Sequence, residues 1–165
     1  MKLTGHVLVV DDESHVRLYI SLILRTLGPV IVHQAMCGTA ALALHRSMSP
    51  KPSLVMLDIN MPGIDGLETL RLLRHEGATC PIVMLTSLAS RQAVEDAITA
   101  GGTGFIRKDT PRAEIAALLA EIMDGAREQT EAMEPAERGM SDRSMVRSRD
   151  PLATRREDAW DRNWF

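Results

Sequence analysis

Five short apolar runs, each followed by a longer stretch of helical periodicity, constrain this chain more than any other feature of its sequence. The runs are His6–Val10, Val30–Ala35, Ser53–Leu57, Pro81–Leu85 and Gly104–Arg107, all rich in aliphatic or β-branched residues. Most are apolar almost throughout, which is how a strand reads when both of its faces are covered. Helical spacing follows over residues 14–27, 39–48, 66–75, 90–100 and 112–125. Strands alternating with helices build a parallel sheet through crossover connections. The expected fold is therefore α/β, a doubly wound five-stranded parallel sheet.

Several boundaries carry a chemical reason. Ser14, Thr39, Ser90 and Thr110 can each cap a following helix by accepting a backbone N–H bond, and Pro111 suits the first helical position, where its missing N–H has no partner. Gly28 and Gly101 stand just past helical stretches, where a left-handed residue ends a helix at little cost. In the first helix Val16, Ile20, Ile23 and Leu27 form one stripe that should face the sheet, while Leu18 and Leu22 lie off it.

The chain has 165 residues, enough for one domain with a buried core plus an appendage. Its formal net charge of −3 gives no global attraction to nucleic acid or to acidic membrane surfaces, so neither is an expected partner. Cys37 and Cys80 are isolated and suggest neither a disulfide nor a zinc site; both read as reduced core thiols. The N-terminus MKLTGHVLVVDD reads as neither a signal peptide nor a membrane span, and the expected location is the cytoplasm. From Arg127 the composition changes to a polar stretch with Pro135, Gly139 and Pro151 and too few bulky apolar residues for a core. The expected organisation is a folded domain over 1–126, a flexible polar linker over 127–150 and a tail over 151–165.

Chemistry concentrates at the C-terminal ends of the strands. Asp11 and Asp12 follow the first, Asp58 the third, Thr86 the fourth and Lys108 the fifth. In an open doubly wound sheet that edge is where sites form. Three carboxylates converging there repel one another unless a cation neutralises them, and an all-oxygen cluster suits Mg²⁺. A hydroxyl and an ammonium facing such a cluster are the parts needed to hold a phosphoryl group.

The blocks VVDDE, LDINMPGIDG, MLTS and GFIRKD, in this order and spacing over residues 6–126, resemble those of bacterial response-regulator receiver domains. The resemblance implies a flavodoxin-like (βα)5 fold with strand order 2-1-3-4-5. It implies that Asp58 accepts a phosphoryl group from a histidine kinase or phosphotransfer protein, and that Mg²⁺ is held directly by Asp12 and Asp58, through water by Asp11, and by the backbone carbonyl of Asn60. Lys108 and Thr86 would contact the phosphoryl oxygens, and Thr86 would couple to the rotamer of Phe105. Asn60 and Leu88 would flank the phosphoryl group and influence its hydrolysis. No enzymatic activity beyond self-phosphorylation and self-dephosphorylation is implied. Many receivers place Pro after the lysine, often in a cis bond, whereas Asp109 follows Lys108, which leaves the geometry of that bond open. Lys-Asp also resembles receivers joined to helix-turn-helix domains, but the remaining 39 residues are too short and too polar for one.

Histidines 6, 15, 33, 45 and 75 show no metal-ligand spacing, and Met56, Met61 and Met84 read as packing. Trp160, Trp164 and Phe165 put three of the five aromatics within the last six residues. In a helix Trp160 and Trp164 share a face, an apolar anchor for a partner, for a second copy in a homodimer, or for the chain's own domain near Leu18, Leu22 and the alanines of the fifth helix. Three functions follow: a phosphorylation-dependent switch acting through an unknown downstream protein; an adaptor whose aromatic tail is the working part, with phosphorylation only modulatory; and a Mg²⁺-dependent hydrolase, for which the sequence offers no positioned general base.

Overall fold

In the computed structural model, residues 2–87 and 90–133 are described, with side chains through residue 126. Five strands, β1 (Gly5–Val10), β2 (Val30–Ala35), β3 (Leu54–Asp58), β4 (Ile82–Thr86) and β5 (Gly104–Arg107), alternate with α1 (Ser14–Leu27), α2 (Gly38–Ser47), α3 (Gly66–His75), α4 (Arg91–Thr99) and α5 (Arg112–Met133). All strand pairs are parallel, in the order β2-β1-β3-β4-β5. This is a flavodoxin-like α/β fold. Residues 1–125 form one compact unit.

The apolar runs are the core. Every residue of β3 and β4 is buried, and Val7, Leu8, Val9 and Val10 of β1 have no exposed surface. Helix α1 turns Val16, Ile20 and Ile23 to the sheet, while Leu27 is half-buried in an apolar cleft with Leu3 and with Leu119, Ala120 and Met123 of α5. Leu18 and Leu22 are more than half exposed, with Tyr19 beside them. β3 and β4 each run one residue further than the apolar pattern indicates, so Asp58 and Thr86 are the last residues of their strands. Helix α5 continues to Met133, into the stretch read as linker, because residues 127–133 contain no glycine or proline to stop it. Residues 134–165, with Trp160, Trp164 and Phe165, lie outside the described residues, as does Leu88.

The helix ends differ from expectation in ways that bear on the site. Ser90 caps α4 by accepting from the Ala93 N–H at 3.1 Å, but Glu13 and Cys37 occupy the cap positions of α1 and α2, and neither side chain bonds the helix end. Asp65, which the pattern does not single out, caps α3 through the Glu68 N–H at 2.8 Å. At α5 the Pro111 carbonyl accepts from Ile115, so Pro111 stands at the cap rather than inside it. Gly101 is left-handed at φ +93°, whereas Gly28 is extended at φ 163°. Its reason is close approach: a Cβ there would lie 2.0 Å from the Leu3 carbonyl oxygen. The two cysteines are half-buried, and burial pushes the Cys80 thiol up. His6 and His33 meet across β1 and β2, ring nitrogens 2.9 Å apart, a pairing that sequence spacing does not reveal.

Candidate functional site

The parallel strands deliver Asp11, Asp58, Thr86 and Lys108 to one edge of the sheet. Asp11 follows β1 with its backbone N–H donating to the Ala35 carbonyl at 3.2 Å and its side chain fully buried. Arg17, one turn into α1, donates from a single guanidinium nitrogen to the carbonyls of Asp11 and Asp12 at 2.7 and 3.2 Å, which fixes the loop that carries both acids. At the end of β3, Gly66 packs against the backbone: a Cβ there would lie 2.0 Å from the Asp58 carbonyl oxygen, and the Gly66 N–H donates to the Ile59 carbonyl at 2.8 Å. Only glycine lets α3 begin so close to the end of β3. The Lys108 N–H donates to the Thr86 carbonyl at 2.7 Å, extending the β4–β5 ladder to the residue whose side chain matters.

The Lys108 ammonium is the hub. It lies 2.8 Å from Asp11 Oδ2, 3.0 Å from Glu13 Oε1 and 3.3 Å from Asp58 Oδ2. Burial works against its charge, but the bonds to Asp11 and Glu13 and the charges of Asp58 and Asp11 outweigh that and raise its pKa. The Asp58 pKa is raised as well, which for a carboxylate disfavours the charged form. Burial first, then the Asp11 charge, raise it to about 6, against the pull of Lys108 and the Asn60 backbone N–H. Thr86 and Phe105 are each 1% exposed, on β4 and β5 respectively. Asn60 is exposed just beyond β3.

The carboxylates fit a hard divalent cation. Asp11 Oδ2 and both oxygens of Asp58 are buried without a hydrogen bond of good geometry, so the adjacent Lys108 leaves part of their charge unsatisfied. Among the described residues, Asp11, Asp12 and Glu13 bring one carboxylate oxygen each within 4.8 Å of one another. Asp58 is outside that tight group and is joined to it through Lys108. With the Glu13 carboxylate taken up by Lys108, the buried oxygens of Asp11 and Asp58 and the adjacent Asp12 carboxylate make an all-oxygen donor set of the kind that suits Mg²⁺. The sequence reading missed Glu13 and Arg17. An acid following an acid pair and a basic residue in a first turn have many bland explanations, and only the position of Lys108 distinguishes them.

The Lys108–Asp109 bond is trans, since the cis bond among the described residues is Ser49–Pro50. Asp109 instead grips Arg107 through two bonds, 2.9 and 2.6 Å, which closes the turn after β5 without proline.

Residues 7–120 match the family described as the response regulator receiver domain, and the chain belongs to that family. It is a receiver domain of two-component signalling, built like the chemotaxis receivers. It is 35% identical over 102 residues to the chemotaxis protein CheY of Bacillus subtilis, covering 62% of this chain and 83% of that protein. The high-resolution structure of Vibrio cholerae CheY4 superposes with a TM-score of 0.66 at 27% identity, over 73% of this chain and 99% of that one. The CheX–CheY–BeF3–Mg complex from Borrelia burgdorferi gives 0.67 at 27% identity, over 72% and 88%. Other relatives are larger: the chain spans 33% of the Pseudomonas putida glycerol metabolism activator, at 42% identity over 72 residues and 44% of this chain, and 29% of an Archaeoglobus fulgidus protein-glutamate methylesterase. Among the described residues no helix is long and apolar enough to cross a membrane.

Proposed function

We propose that Asp58 accepts a phosphoryl group from the phosphohistidine of a histidine kinase or phosphotransfer protein, and that the phosphorylated chain signals through contact with another protein in the cytoplasm. The observation that carries this reading is the buried Asp58 carboxylate, with neither oxygen well hydrogen-bonded and Lys108 only 3.3 Å away. A carboxylate in that state is available as a nucleophile, with a positive charge beside it for the oxygens of an incoming phosphoryl group.

In the transfer a bond forms between an Asp58 oxygen and phosphorus while the donor's phosphorus–nitrogen bond breaks. The electron pair goes to the imidazole nitrogen, which takes up a proton. Asp11, Asp12, Asp58 and the Asn60 carbonyl would hold Mg²⁺, as the buried oxygens of Asp11 and Asp58, whose charge the shared Lys108 only partly offsets, favour. When bound, the ion supplies charge neutralisation for carboxylate and phosphoryl oxygens. Lys108 then pairs with one phosphoryl oxygen, and the Thr86 hydroxyl donates to another. Thr86 and Phe105 lie on adjacent strands, with Phe105 in register with Met84, two residues before Thr86. A shift of the Thr86 side chain toward the phosphoryl group therefore opens space for a new Phe105 rotamer, which is how the modification reaches the surface.

Incubation with Mg²⁺ and acetyl phosphate, or with a cognate kinase, is expected to label the protein, and Asp58→Asn to remove the label. Equal labelling of the variant would place the acceptor elsewhere.

A further inference from the structure

Glu13 has no part in the phosphoryl-acceptor set, yet it contacts that set's only cation. It stands at the cap position of α1, where an acidic side chain ordinarily turns toward the free N–H groups of the helix end. Here the carboxylate makes no capping bond. Its backbone N–H donates to Asp11 Oδ1 at 2.9 Å, which fixes where the side chain starts, and Oε1 reaches across to accept from Lys108 Nζ at 3.0 Å. The exchange is mutual: the Lys108 ammonium holds the Glu13 carboxyl below its ordinary range through the hydrogen bond first and its charge second.

The three anions around Lys108 are not equivalent. Asp11 and Asp58 are buried, whereas the Glu13 side chain is 44% exposed, with its other oxygen 3.5 Å from the exposed His15 ring, and can turn toward water. A phosphoryl group on Asp58 adds anionic oxygens beside Lys108, and one ammonium has three protons to donate. Of its present partners, Glu13 is the one that can leave without stranding a buried charge.

We propose that Glu13 is a positioning residue that holds the Lys108 ammonium in the unphosphorylated protein and releases it to the phosphoryl group forming on Asp58, so that this exchange slows phosphorylation. The inference rests on the reading of Asp58 as the acceptor. Glu13 stabilises the state before transfer and is already released after it, so its removal speeds phosphorylation and leaves hydrolysis of the phosphorylated protein unchanged. An exposed ion pair of this kind sets a modest factor, about two- to fivefold in rate.

The test measures phosphorylation of the full chain by acetyl phosphate with Mg²⁺, and separately the decay of the phosphorylated protein, for wild type, Glu13→Gln and Glu13→Asp, with thermal melts to establish folding. Glu13→Gln should label about two- to fivefold faster at low salt with an unchanged decay rate. The gap to wild type should close as added salt screens the pair. Glu13→Asp keeps the charge but is one methylene too short to hold Lys108, so it should follow Glu13→Gln. If Glu13→Asp instead follows wild type, the effect is repulsion of an anionic donor and the proposal is wrong. It is equally wrong if Glu13→Gln labels at the wild-type rate or more slowly. Wild type that does not label, with Asp58→Asn run alongside, overturns the acceptor reading and the Glu13 proposal with it. Normal wild-type labelling with an unaltered Glu13→Gln overturns the Glu13 proposal alone.

Discussion

The Lys108 ammonium lies 3.3 Å from Asp58 Oδ2 and 2.8 Å from Asp11 Oδ2, so the residue after β5 ties together the ends of β1 and β3 across the top of the sheet. One cation shared by two buried carboxylates leaves a residual negative charge at the site, and this excess governs how the protein responds to pH, to metal and to loss of either acid.

Without metal, Asp58→Asn should stabilise the protein. The Asp58 pKa rises from 3.8 to about 6 on folding, so the unfolded chain ionises first and the charge costs the folded state. That cost is present in full above the folded value and vanishes below the unfolded one, and two pKa units correspond to about 2–3 kcal/mol. Urea denaturation at neutral pH should show the variant ahead by an amount of that order, with the gap narrowing steadily toward pH 4. Added Mg²⁺ should raise wild-type stability more than that of the variant. A variant less stable than wild type at neutral pH would mean that Lys108 already compensates Asp58.

Arg17→Ala should weaken metal binding without touching a carboxylate. Its guanidinium holds the carbonyls of Asp11 and Asp12, and bonds from a charged donor contribute about 1–3 kcal/mol. The expected result is a several-fold weaker Mg²⁺ titration and a stability loss of about 1–2 kcal/mol, with Arg17→Lys intermediate because its shorter side chain brings the ammonium less far toward the carbonyls and forgoes the Nε bond to Gln34. A wild-type Mg²⁺ affinity in Arg17→Ala would show that the loop holds its shape unaided.

His45 sets an acid limit far from the site. It is 4% exposed in α2, and burial first, then Lys51, lower its pKa from 6.5, against the pull of Glu76. The unfolded chain therefore takes up a proton before the folded one does. Stability conferred by the neutral ring is complete above 6.5 and declines as pH falls from there toward the folded-state value. His45→Gln should flatten this part of the stability–pH curve relative to wild type, and parallel curves for the two proteins would exclude His45 as the cause.

Deleting residues 151–165 should leave the rate of phosphorylation unchanged, because every side chain placed at the site lies between Asp11 and Lys108. Labelling rates of the shortened and full chains check this directly. A comparison of their oligomeric state and partner binding then assigns the aromatic segment a role in output or none.

The strands were legible in the sequence because burial on both faces leaves its mark on every residue, as in Val7–Val10, Leu54–Leu57 and Ile82–Leu85, whereas the 2-1-3-4-5 order came from the resemblance to receivers. Asp11, Asp58, Thr86 and Lys108 were legible for a related reason, since parallel strands bring residues that follow them to one edge. Local chemistry was harder to read. Ser14 and Thr39 look like caps by type, yet Glu13 and Cys37 take those places, and Glu13 turns to a lysine that lies far along the chain. Nothing within a helix-length window carries that information. Gly28 was misread as a left-handed stop because sequence shows the end of a helix but not the Leu3 backbone packed against it.

The most direct test of the account is the mass of the intact protein after incubation with Mg²⁺ and acetyl phosphate, followed by mapping of the modified residue. Incubation is expected to add one phosphoryl group on Asp58, a gain prevented by chelation of Mg²⁺ before the reaction and absent from Asp58→Asn. Modification of a different residue, or full labelling without a divalent cation, would contradict it.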